Sequence, residues 1–205
     1  MDIMRGKFIV FEGIDGCGKS EQIKLAASHI FSLNKDYDVY LTREPTRDFK
    51  VIREKMAKGS DTKQDAKWYA KMFVKDRIHH LNNYIMPFLK KGTHVLCDRY
   101  KHSTIAYQST QGMDVNELIK MHDNLLIPDI AFIFDCPAEI SFKRINVEGE
   151  KEVFDKDLEF QKELSKNYLK LKNLLPEEKI VVVDATQPVE KVFEVVKKNL
   201  DILFS

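Results

Sequence analysis

The chain has 205 residues, 43% of them hydrophobic and 32% charged, with a formal net charge of +1. A chain of this size fits one compact domain over 1–205, and its near-neutral charge excludes a global field that would gather nucleic acid or anionic membrane. Cys17, Cys97 and Cys136 are scattered without a C-x-x-C pair, which argues against a disulfide framework or a zinc site and points to a reducing compartment.

The first apolar run, Phe8 to Glu12, is too short for a secretory core of about 7–15 residues or a membrane span of about 20. A soluble cytoplasmic protein is therefore expected. The run reads as the first strand, and Gly13-Ile14-Asp15-Gly16-Cys17-Gly18-Lys19-Ser20 follows it directly, matching G-x-x-x-x-G-K-[ST] between a strand and a helix. In such a P-loop the backbone N–H groups and the helix N-terminus face phosphate oxygens, the lysine reaches the β and γ phosphates, and the serine hydroxyl meets Mg²⁺. Gly13, Asp15, Gly16, Cys17, Gly18, Lys19 and Ser20 are accordingly expected at the phosphates of ATP or GTP.

Four further β-rich runs follow at Val39–Thr42, His94–Asp98, Ile130–Asp135 and Ile180–Asp184. Being nearly continuous apolar segments, all five read as buried parallel strands. The clearest helical stretch between them carries Tyr69, Met72, Phe73, Leu81, Tyr84, Ile85, Phe88 and Leu89 at three- and four-residue spacings. The alternation predicts an α/β P-loop NTPase fold, a five-stranded parallel sheet flanked by helices on both faces. Ligands in such sheets bind beyond the strand carboxyl ends, where Glu12, Thr42-Arg43-Glu44, Asp98-Arg99 and Asp135 gather charge. The charged stretch from Arg144 to Lys156 reads as a short loop or lid.

A P-loop alone does not choose between kinase, GTPase and motor. The order FEGIDGCGKS, TREP, FVKDR, DRYKHSTIAYQ, PDIAFIFDCP and DATQ, however, resembles that of the thymidylate kinases over most of the chain. The resemblance implies phosphorylation of dTMP to dTDP by ATP with Mg²⁺, in a homodimer built by helix packing. It implies that Phe73 stacks on thymine and Arg77 bonds the base edge; at i, i+4 they share a helix face. Alone, Phe73 would read as a core aromatic.

The same resemblance puts Arg99 on the acceptor phosphate and Asp98 at Mg²⁺ with Ser20. Asp15 falls at the sugar 3′-hydroxyl and Tyr107 beside the 2′ position. Glu44, Pro45, Ser103, Thr104 and Gln108 line the acceptor site. Arg43, Arg47 and Arg53 each stand as phosphate contacts, with no ground in the sequence for choosing among them. Ala185, Thr186 and Gln187 border adenine, or else simply start a helix with Thr186 as N-cap.

Two departures from the family pattern stand out. Gly16 occupies the P-loop position that carries a basic residue in one family type, so catalytic arginine should come from the lid. There only Arg144 remains, with Asn146 and Glu148 where relatives often repeat arginine and with Lys151 or Lys156 as alternatives. Glu21, after Ser20, suits the helix dipole but opposes a nearby phosphate. Two rival readings remain: a kinase for dUMP or a modified deoxypyrimidine monophosphate, and a nucleotide-binding regulator without turnover.

Overall fold

The computed structural model describes residues 5–58, 62–148 and 158–205. Five strands, β1 (Phe8–Glu12), β2 (Val39–Arg43), β3 (His94–Asp98), β4 (Ile130–Asp135) and β5 (Ile180–Asp184), form one parallel sheet in the order β2-β3-β1-β4-β5. The chain leaves β1 toward β2 in one direction and later crosses from β3 over β1 to β4 in the other. With right-handed crossovers the two directions place helices on opposite faces, and the reversal makes a crevice at the carboxyl ends of β1 and β3.

On one face α1 (Lys19–Leu33) packs against α9 (Val189–Phe204). The other face carries α2 (Lys50–Ala57), α3 (Thr62–His80), α4 (Met86–Lys90), α5 (Lys101–Thr110), α6 (Val115–Lys120), α7 (Ala138–Glu148) and α8 (Leu158–Leu174), with α5 packed on α3, α6 and α8. β1 is buried throughout, and its Phe11 ring stacks on Phe134 and tilts against Phe132, filling the centre of the core.

Three expectations change here. The strands are not uniformly buried: β2 is an edge strand, with Leu41 48% exposed. A continuous apolar run reports strand character but not position in the sheet. The helical stretch through Tyr69–Leu89 is not one regular helix, because a π-turn at Leu81–Ile85 joins α3 to α4, just before Pro87. Finally, α7 runs to Glu148, so the first part of the expected lid, 144–148, is helical. The rest of that segment, with Lys151 and Lys156, lies outside the described residues.

Candidate active site

The loop after β1 closes tightly on its neighbours. Gly13 has φ 140°, and a Cβ there would sit 2.8 Å from the Phe134 carbonyl oxygen and 2.9 Å from Cys17 Sγ. Gly16 has φ 75°, and its Cβ would meet the Ser141 carbonyl oxygen of α7 at 2.7 Å. A side chain at Gly16 would collide with the α7 backbone and be disfavoured by the left-handed conformation, which gives a physical reason for the missing basic residue. Lys19 is buried, and its Nζ donates to the carbonyls of Gly13 at 3.0 Å and Ile14 at 2.9 Å, lying 3.9 Å from Asp15 Oδ1. Ser20 is exposed at the first turn of α1, and Glu21 turns away to accept from Lys24 at 3.3 Å.

Beside the loop, α3 and α5 border a cavity lined by Glu44, Pro45, Met56, Phe73, Asp76, Arg77, Arg99, Tyr100, Ser103, Thr104, Tyr107 and Gln108. Arg77 is 2% exposed and held on every side. Its Nε donates to Glu44 Oε2 at 2.7 Å, Nη1 lies 2.7 Å from His122 Nε2, and Nη2 donates to Thr104 Oγ1 at 3.1 Å. Its guanidinium also sits over the Tyr100 ring at 5.1 Å. Phe73 is half-buried, with one side stacked on Tyr69 at 5.8 Å and the ring lining the cavity, so its core role and its site role coexist. Gln108 donates to Gln111 at 3.1 Å, while its own buried Oε1 has no partner among the described residues.

Arg99 joins this cavity to the P-loop. Its backbone is left-handed, φ 69°, a conformation costing a non-glycine residue about 1–2 kcal/mol. The turn is held by Arg99 N donating to Phe11 O at 3.0 Å and Tyr100 N to Glu12 Oε1 at 2.6 Å. One terminal nitrogen of Arg99 donates to Ser103 at 3.2 Å and Tyr168 at 3.0 Å; the other bonds Asp15 and reaches Tyr107 at 3.4 Å. Burial by itself would raise the Asp15 carboxyl, but Arg99 and then Lys19 outweigh it and bring its pKa to about 2. Asp98 ends β3 opposite Phe11, and its buried Oδ1 has no hydrogen-bond partner among the described residues.

Beneath Arg99, buried Glu12 accepts from Ser103 at 2.6 Å and lies 3.4 Å from His102 Nδ1, an ion-pair distance without hydrogen-bond alignment. His102 Nε2 is 2.9 Å from Glu178, which also holds Lys101 at 2.6 Å. Burial lowers the His102 pKa, yet the two carboxylates outweigh it and the net shift is upward. A raised folded-state pKa contributes stability that is complete below about 6.5 and lost as pH rises through the folded value. The melting-temperature gap between the parent and His102→Gln should accordingly be wider at pH 6 than at pH 9, and equal gaps would refute a charged His102.

Not all expected residues converge. Arg43 is exposed at the end of β2 and lines a separate cleft with Arg47, His80 and Tyr84; Arg53 is exposed, with a 3.5 Å contact to the Pro45 carbonyl. Neither lines the α3–α5 cavity. Successive side chains of a strand alternate, so burying Glu44 against Arg77 turns Arg43 outward. Conversely Met56, Asp76, His122 and Tyr168 belong to the site or its support without having been singled out, and Tyr100, named only as part of the DRY motif, lines the cavity. Asp76 stood within FVKDR and anchors the turn after Pro45 by accepting from Thr46 N at 2.8 Å. Tyr168 lies at core spacing with Leu164 and Leu171, which hides its hydroxyl's role. His122 carries no local signal at all.

The family profile described as "Thymidylate kinase" matches residues 11–196. The chain belongs to the thymidylate kinase family. A "Probable thymidylate kinase" of Pyrococcus horikoshii is 42% identical over 185 residues, 87% of this chain and 88% of the relative. One of Pyrococcus abyssi is 40% identical over 198 residues, 93% and 94% of the two chains, and a "Thymidylate kinase" of Limosilactobacillus reuteri is 36% identical over 214 residues, 98% and 99%.

In this thymidylate kinase family member the turn after β5 does not cap α9. Thr186 and Gln187 fold back on Asp184, with Thr186 N donating to Oδ1 at 2.9 Å and Gln187 Nε2 to Oδ2 at 3.0 Å. Pro188 takes the N-cap position without a side-chain bond, and the Thr186 hydroxyl donates to Asp184 Oδ1 at 2.6 Å. Arg144 Nη1 donates to the Ala185 carbonyl at 3.1 Å, so its side chain lies against this turn. Glu44, His80 and Cys97 also bring ligand-type atoms within 4.8 Å of one another. There Glu44 is paired with Arg77 and His80, and the Cys97 thiol donates to the Arg99 carbonyl at 3.0 Å. Among the described residues no helix is long and apolar enough to cross a membrane.

Proposed function

We propose that the chain transfers the γ-phosphoryl group of ATP to the 5′-phosphate of dTMP, giving ADP and dTDP. The observation that carries this reading is the Arg99–Asp15 ion pair, which ties a cavity bearing Phe73, Arg77 and Gln108 directly to the P-loop. Thymine stacks on Phe73, its C4 carbonyl accepts from Arg77, and the partnerless Gln108 Oε1 accepts from N3–H. Tyr107, whose hydroxyl lies 3.4 Å from Asp15 Oδ2, crowds the 2′ position of the sugar.

An acceptor phosphate with a second pKa near 6 is mostly ionised at neutral pH, so its oxygen attacks without a general base. As the new P–O bond forms, the bond from the γ-phosphorus to the β–γ bridging oxygen breaks and ADP leaves. The work left to the protein is positioning and charge neutralisation. Lys19 exchanges its loop carbonyls for β and γ oxygens. Arg99 exchanges Asp15 for the acceptor phosphate, and Asp15 is released to the sugar 3′-hydroxyl.

The partnerless Asp98 Oδ1 and the exposed Ser20 hydroxyl are oxygen donors of the kind Mg²⁺ takes, Asp98 through water. Held there, Mg²⁺ would supply neutralisation of the donor phosphates. Arg144, whose bond to the Ala185 carbonyl supports an adenine-side role, steadies the donor base and extends toward its phosphates. The homodimer follows from the family resemblance, and sedimentation velocity tests it.

Steady-state assay with ATP, Mg²⁺ and a panel of dTMP, dUMP, dCMP, dGMP, TMP and AMP should give turnover with dTMP well above every other acceptor. ADP release at background with all of them would defeat the kinase reading, and equal rates with dUMP would defeat thymine selectivity.

A further inference from the structure

His122 lies in the turn after α6, 4% exposed, and does not itself line the cavity, which it meets through Arg77. Its two nitrogens nevertheless have fixed roles. Nδ1 is 2.7 Å from the Leu118 carbonyl oxygen, which can only accept, so Nδ1 carries the proton. Nε2 is 2.7 Å from Arg77 Nη1, which can only donate, so Nε2 presents its lone pair. Burial, then the facing Arg77 charge, with smaller contributions from Lys101 and His102, push the imidazole pKa down to about 3, so this neutral tautomer persists at any working pH.

Arg77 has five N–H groups. Glu44 takes the one on Nε, His122 one on Nη1 and Thr104 one on Nη2. One N–H remains on each terminal nitrogen, a fork suited to a carbonyl acceptor on the base and unsuited to an amino group. Glu44 supplies the countercharge, but a single bond at Nε leaves the terminal nitrogens free to re-pair. The acceptor at Nη1 prevents this.

We propose that His122 is a positioning residue for base selection, holding the Arg77 fork toward a 4-oxo pyrimidine and away from a 4-amino one. This rests on the dTMP kinase reading for its substrate but not on turnover, because selection is already exerted in binding.

The test is titration of dTMP and dCMP into the full chain, parent and His122→Leu, alongside kcat for dTMP. His122→Leu should weaken dTMP binding about tenfold or more, the size expected when a charged hydrogen bond is lost, and dCMP binding much less. kcat at saturating dTMP should change by less than about threefold, as for lost binding rather than lost chemistry. His122→Gln, which can return an acceptor oxygen near Nε2, should recover most of the dTMP affinity.

Equal losses for dTMP and dCMP, or no loss, would overturn the proposal. Should His122→Leu fail to fold, nitrogen NMR of the parent decides instead. A protonated Nδ1 and a bare Nε2 that shifts on adding dTMP are expected, and a protonated Nε2 overturns the role. A parent that binds dTMP without turning it over defeats the kinase reading and leaves this test standing.

Discussion

Arg99→Ala is expected to lower kcat by about 10²–10³-fold, the usual cost of removing a donor aimed at developing charge. ATP affinity, measured by titration, should change by less than about tenfold, because the proposed partner of Arg99 is the acceptor phosphate. Comparable losses of turnover and ATP binding would place Arg99 on the donor side instead. Arg99→Lys should recover little activity, since the existing contacts to Ser103, Tyr168, Asp15 and Tyr107 use both terminal nitrogens of a planar fork.

The left-handed backbone at this position adds a second expectation. Arg99→Gly removes the same guanidinium but relieves the strain, so it should be more stable than Arg99→Ala by about 1 kcal/mol while equally inactive. That outcome would identify the strained turn as the cost of aiming the guanidinium at the P-loop. Equal stabilities would show that the surrounding contacts hold the turn without measurable strain.

Glu44→Ala is expected to destabilise the chain by about 3–5 kcal/mol, because it leaves the Arg77 guanidinium buried without a countercharge. The effect should be large here for two reasons: Glu44 and Arg77 are both nearly fully buried, and Glu44 Oε1 also holds His80 at 3.1 Å. Urea denaturation of the parent and variant checks it. A double variant, Glu44→Ala with Arg77→Met, should recover a substantial part of the loss, since it removes the unpaired charge along with its partner. If the double variant is as unstable as the sum of the singles, the pair contributes through packing rather than through charge.

The P-loop was legible because its chemistry is local. Gly13 and Gly16 must take left-handed or close-packed backbone, Lys19 and Ser20 must follow at once, and the strand before and helix after are contiguous in the chain. The strand positions were legible for a similar reason, since apolar runs bounded by charge mark both the core segment and its carboxyl end. The i, i+4 pair of Phe73 and Arg77 was readable as one helix face. What could not be read was that none of the three arginines turns inward. Arg43, Arg47 and Arg53 are all exposed, Arg43 because Glu44, its neighbour, is drawn to Arg77.

His122 and Tyr168 show the other limit. Each reaches the site from a helix or turn distant in sequence, His122 across 45 positions to Arg77 and Tyr168 across 69 to Arg99. Neither has a spacing or flanking residue that distinguishes it from an ordinary core or turn position.

The sequence by itself determined the P-loop motif and the five-strand α/β frame, since each depends on short-range backbone demands and hydrophobic period, and the order of its motifs carried the family. Only the tertiary structure decided that Gly16 is closed off by α7, that Arg144 lies against the Ala185 turn, and that Arg77 is held from three sides. Those facts depend on strand order and helix packing, which bring together groups that no local pattern in the chain connects.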